Sequence, residues 1–123
     1  MKTVLIVTDD LGFAYWLGQT LDQARYEAWP ARSVAAAELL LAELQLAVDL
    51  LVVAASMPGA STLMTYLGAF KNDFKVIAVC DEEAHALEQL AMVSVVRRKP
   101  RTVDSSVKRE WVRLITGLLA DAR

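Results

Sequence analysis

The sequence predicts an α/β fold in which a parallel sheet carries helices on both faces. Three observations support this. Short runs are apolar at almost every residue rather than at alternate ones, the pattern of strands buried on both faces. Stretches with apolar residues at three- and four-residue spacing, the helical period, lie between them. The two signals alternate along the whole chain, and that order calls for right-handed crossovers and a parallel sheet. With 123 residues, 55% hydrophobic and 23% charged, the chain has the length of one domain and is too apolar for disorder.

Thr3 to Val7 is β-branched and aliphatic, and reads as the first buried strand. Phe13, Leu17, Leu21 and Ala24 recur near four-residue spacing, so a helix is expected over Gly12 to Ala24. Arg25 to Ala31 is short and contains Pro30, which suits an edge strand. Ser33 is an N-cap for an Ala- and Leu-rich helix to about Leu46. Leu50 to Ala55 is the third strand, closed by the turn Met57-Pro58-Gly59. Ser61 or Thr62 is expected to cap a helix through Phe70, and Val76 to Cys80 is the fourth strand. Asp81, Glu82 and Glu83 place acids at the positive end of a further helix. Val93 to Val96 is the last strand, and a final helix from about Ser105 turns Val107, Trp111, Ile115, Leu118 and Leu119 to one side.

One Cys and one His exclude an internal disulfide and a four-ligand zinc site. Cys80 reads as a small buried hydrophobe, His85 as a surface residue and Trp111 as core. No apolar run reaches the roughly 18 residues of a membrane span, and Asp9 and Asp10 interrupt the N-terminal run too early for a signal peptide. A cytoplasmic protein is expected. The net charge of -2 conceals an asymmetry. Before Arg97 there are 12 acidic residues against 5 basic, and from Arg97 onward 8 basic against 3 acidic.

In doubly wound sheets the ligand site lies beyond the carboxyl ends of the strands. Those ends carry Thr8-Asp9-Asp10, Ala54-Ala55-Ser56, Cys80-Asp81 and Arg97-Arg98-Lys99-Pro100. Over essentially its whole length the chain resembles the CheY-like receiver domain of bacterial two-component response regulators. The resemblance rests on Val4 to Asp10 (VLIVTDD), Tyr26 to Ala28 (YEA), Asp49 to Gly59 (DLLVVAASMPG), Val76 to Cys80 (VIAVC) and Lys99-Pro100, in this order and spacing. It implies a flavodoxin-like (βα)5 doubly wound sandwich, a single receiver-like domain over residues 1–123 with strand order 2-1-3-4-5.

The resemblance also implies a chemistry, phosphoryl transfer onto an aspartate at the end of the third strand. An acidic pair holds Mg²⁺ there, and a Lys and a hydroxyl bind the phosphoryl oxygens. The attacking position, four residues before Pro58, is Ala54, and a methyl group accepts no phosphoryl group. The acidic pair falls on Thr8 and Asp9, with Asp10 adjacent. The sensing hydroxyl falls on Cys80 and the aromatic switch on Val96. Asp9, Lys99 and Pro100 match the family, in which the peptide bond before that proline is often cis. The resulting expectation is a degenerate pseudo-receiver with no catalytic residue, whose pocket remnants are Thr8, Asp9, Asp10, Cys80, Lys99 and Pro100. Asp9 and Asp10 would bind Mg²⁺ weakly at most, and no other cofactor is expected. Lys99 is expected to pair with Asp9, because a lone ammonium in the emptied pocket would be costly to desolvate.

The basic end suggests an interaction face of Arg97, Arg98, Lys108, Arg109 and Arg113, with Glu82 and Glu83 on the helix after Cys80 beside it. In receivers the surface of the fourth helix, fifth strand and fifth helix serves dimerisation or docking. Opposite charges on adjacent elements are self-complementary across a two-fold axis, so a homodimer is one expectation. The functional reading is an atypical receiver in phosphorelay signal transduction, not an enzyme, acting through contact with a protein partner or output domain. Two alternatives stand beside it, a conventional phosphorelay receiver using Asp9 or Asp10 and a small-molecule-binding flavodoxin-like domain. Thr8 to Gly12 holds one Gly and two acids, which argues against a phosphate-cradling loop. The acidic majority argues against direct nucleic-acid binding.

Overall fold

The computed structural model describes residues 2–45, 47–70, 74–80 and 93–120. Its elements are β1 (Thr3–Val7), α1 (Leu11–Gln23), β2 (Glu27–Ala31), α2 (Val34–Leu44), β3 (Leu50–Ala54), α3 (Ala60–Phe70), β4 (Lys75–Cys80), β5 (Val95–Arg98) and α4 (Ser105–Ala120). All strand pairs are parallel, in the order β2-β1-β3-β4-β5. This is the flavodoxin-like α/β sheet expected from the sequence. The helix expected after Cys80, with Asp81, Glu82 and Glu83 in its first turn, and His85 with it, lies outside the described residues. No described helix is long and apolar enough to cross a membrane.

The continuous apolar runs become central strands because both faces of the sheet are covered. Leu5, Val7, Leu51, Val53 and Val76 face one layer with Ala37 and Leu41 of α2 and Leu63, Met64 and Leu67 of α3. The alternate residues Val4, Ile6, Leu50, Val52, Ile77 and Val79 face the other, with Phe13, Leu17 and Leu21 of α1 and Trp111, Ile115 and Leu119 of α4. Trp111 meets Phe13 edge-on at 5.7 Å and Trp16 at 6.3 Å, an aromatic joint between α1 and α4. Tyr26 adds a polar joint, its hydroxyl 2.9 Å from Thr116 Oγ1.

The chain ends its helices by local chemistry. Asp10 caps α1, its Oδ1 accepting from Phe13 N–H at 3.0 Å, and Ser33 caps α2 by accepting from Ala36 N–H at 3.0 Å. After α1, Tyr26 N–H donates to the Leu21 carbonyl and Arg25 N–H to that of Asp22, with Arg25 at φ +67. That is a Schellman closure with an arginine in the left-handed position where glycine is easiest.

Several expected boundaries are corrected. Helix α3 begins at Ala60, so Ser61 and Thr62 lie inside its first turn rather than capping it. Gly59, at φ +82, makes the turn, and its carbonyl accepts from Leu63 N–H. Helix α2 ends at Leu44 because Gln45 adopts the left-handed conformation. Strand β5 runs over Val95–Arg98 rather than Val93 to Val96, because its pairing with β4 extends to Arg98 opposite Cys80.

Candidate functional site

The register of the sheet brings the expected residues to one end. Val7 pairs with Val53, Ala54 with Val79, and Cys80 with Arg98, so Thr8, Ala54, Cys80 and Lys99 emerge in one row at the carboxyl ends of β1, β3, β4 and β5. Parallel strands with the same polarity make this row, because each connection returns the chain to the opposite end of the sheet before the next strand begins.

Thr8 is buried, and its hydroxyl accepts from Asp10 N–H at 3.1 Å, which fixes the turn into α1. Asp10 uses both carboxylate oxygens, Oδ1 as the cap of α1 and Oδ2 as partner of Lys99 Nζ at 2.6 Å. The expected ion pair of Lys99 thus exists with Asp10, not with Asp9. Asp9 sits in the bend between β1 and α1, is exposed, and makes no hydrogen bond or ion pair among the described residues. The cap geometry holds the Asp10 side chain in place for Lys99, and nothing comparable holds Asp9. The Lys99 hydrogen bond, then that from Phe13 N–H, holds the Asp10 carboxyl below its ordinary value despite opposition from partial burial. The pair is about one-third exposed, at 30% and 35% for the two side chains.

Ala54 is half-buried, and its carbonyl accepts from Met57 N–H at 3.0 Å in the turn after β3. Cys80, expected as a small buried hydrophobe, is a free thiol and only half-buried. Its Sγ donates to the Arg97 carbonyl at 3.6 Å, while the Cys80 carbonyl accepts from Lys99 N–H at 2.8 Å. The peptide bond before Pro100 is trans. Among the described residues no group of three or more His, Cys, Asp or Glu could hold a metal ion.

The expected interaction face is only partly gathered. Arg97 and Arg98 are exposed within β5, and Ser106, Arg109, Glu110 and Arg113 line an open depression on the outer side of α4. Lys108 turns away from them to donate to Gln23 Oε1 at the end of α1, joining two helices. Asp49 lies at the opposite end of the sheet, where its Oδ2 accepts from Thr3 N–H at 2.9 Å. Sequence reasoning did not assign Asp10 its capping role. The signal was present, since Asp10 stands three residues before Phe13, the first residue of the apolar helical period.

No protein-family model matches the sequence, and no curated protein matches it. Solved structures do. A CheY-like response regulator receiver domain protein from Methanospirillum hungatei is 19% identical, covering 99% of this chain and 96% of that one, with a TM-score of 0.82. The non-phosphorylated HemR receiver domain from Leptospira biflexa is 22% identical over 100% of this chain and 98% of that one, with a TM-score of 0.77. Response regulator TrrA from Thermotoga maritima, solved with Mg²⁺ and BeF, is 21% identical over 96% and 99%, with a TM-score of 0.73. The chain therefore has the fold of CheY-like receiver domains.

Proposed function

We propose that this chain is a receiver-fold module of two-component signalling that acts through protein contact without phosphorylation at the end of β3. The observation that carries the reading is Ala54. Its methyl group stands at the end of β3, level with the ends of β1 and β4, where phosphoryl transfer would need a carboxylate. The Asp10–Lys99 pair supports the same reading, because the ammonium that would meet a phosphoryl oxygen is engaged by a carboxylate of the chain itself. Both oxygens of Asp10 already accept hydrogen bonds, so Mg²⁺ binding through Asp9 and Asp10 would be weak. A binding role rather than an enzymatic one fits a row whose described residues offer no nucleophile beside a general base.

Exposed Arg97, Arg98, Arg109 and Arg113 support docking of an acidic protein surface, a second copy of the chain included. Sedimentation at low salt is expected to reveal self-association that weakens as salt is added; a monomer at about 100 μM would remove the second copy from this reading. The central test is incubation with acetyl phosphate or phosphoramidate and Mg²⁺, followed by intact mass measurement. No gain is expected. A gain of one phosphoryl group located on Asp9 or Asp10 would overturn the proposal in favour of a conventional receiver.

A further inference from the structure

Helix α2 buries Ala37 and Leu41 toward the sheet, yet its opposite side is also apolar. Ala35, Leu39 and Ala42 are all exposed, Leu39 at 58%, and their spacing of four and three residues aligns them on one stripe. A short surface helix that is apolar on both sides has a face without a partner. At 100° per residue, Glu38 and Glu43 fall on opposite flanks of that stripe. Neither makes an ion pair or hydrogen bond among the described residues. Neighbouring α3 carries no charged residue, and Ser61, Thr62 and Thr65 on it are exposed.

We infer that this stripe docks a basic amphipathic helix of a partner protein, its apolar ridge seated on Ala35, Leu39 and Ala42 and its flanking Lys or Arg residues meeting Glu38 and Glu43. The charges select this occupant over a second copy. An antiparallel two-fold pairing through the stripe sets Glu38 against its own copy, and a parallel one sets Glu38 against the copy of Glu43. Both oppose like charges. The two alanines let the helix axes approach closely, and Leu39 supplies the knob between them. Eleven residues of helix offer a contact at the small end of specific interfaces, so a dissociation constant on the order of 10–100 μM is expected.

The test is titration of ¹⁵N-labelled protein with a synthetic helical peptide of about 18 residues, long enough to hold helical structure, whose leucine stripe is flanked by lysines. A twin peptide flanked by glutamates serves as the contrast. The lysine peptide is expected to shift resonances of residues 34–44 and to bind at least tenfold more tightly than its twin. Leu39→Glu is expected to weaken it at least tenfold. The double variant Glu38→Lys/Glu43→Lys is expected to reverse the preference, which also reports that the variant is folded. Shifts confined to another face, equal binding of both peptides, no binding up to millimolar peptide, or an α2-mediated dimer each overturns the inference. None of these outcomes bears on phosphorylation, which is tested separately.

Discussion

Asp10 performs two tasks with two oxygens, capping α1 and receiving Lys99, and the tasks separate by substitution. Asp10→Ala loses both and is expected to cost about 1–2 kcal/mol in urea unfolding, most of it from the cap. Asn keeps a capping oxygen, so Asp10→Asn is expected to cost less than Asp10→Ala. Lys99→Met is expected to cost no more than about 1 kcal/mol, because a pair one-third exposed is screened by water. The pH dependence follows from the direction of the Asp10 shift. Unfolded, the group titrates near 3.8; folded, it titrates lower, so the native state binds fewer protons. Its contribution is complete above about pH 4 and is lost as pH falls through the lowered folded value. Unfolding midpoints of Asp10→Asn measured from neutral pH down to about pH 2 are expected to fall less steeply than those of the wild type. Parallel slopes would contradict the role given to the Lys99 contact. At this scale the sequence named residues that the sheet register brings to one end, but not the choice between adjacent acids. That choice depends on which carboxylate the first turn of α1 holds, and Asp9 and Asp10 are chemically identical until the helix start is placed.

The elements illustrate which signals travel in the sequence. Continuous apolar runs located the central strands, since burial on both faces leaves no room for a polar residue. The ends were less legible because they follow from hydrogen bonds rather than hydropathy. Gly59 rather than Ser61 or Thr62 opens α3, and the pairing of β5 with β4 carries the strand through two arginines that hydropathy had placed beyond it. At the end of α1, Arg25 occupies a left-handed position at φ +67, with no Cβ-free residue to relieve it. Arg25→Gly is expected to raise stability by about 0.5–1 kcal/mol in thermal or urea unfolding, the smaller strain outweighing the greater freedom of the unfolded glycine. Destabilisation by the same amount would mean that the arginine side chain makes a compensating contact.

Across the whole molecule, one sheet divides two apolar layers, and α4 closes the second through Trp111, Ile115 and Leu119. Ile115 is fully buried there, so Ile115→Ala is expected to cost about 2–5 kcal/mol, read as a lower urea midpoint with an unchanged slope. The charge asymmetry visible in the sequence acquires a location. Four exposed arginines lie on β5 and α4, while α2, on the opposite layer, offers glutamates beside an exposed apolar stripe. Between these surfaces lies the row of strand ends in which, on the proposed reading, Ala54 stands in place of a phosphate-accepting carboxylate. The most direct measurement of the central claim is a titration of ¹⁵N-labelled protein with Mg²⁺ and beryllofluoride, a mimic of the phosphoryl group. No saturable shift is expected at residues 8–10, 54, 80 and 99. A saturable, Mg²⁺-dependent shift at those residues would contradict that claim.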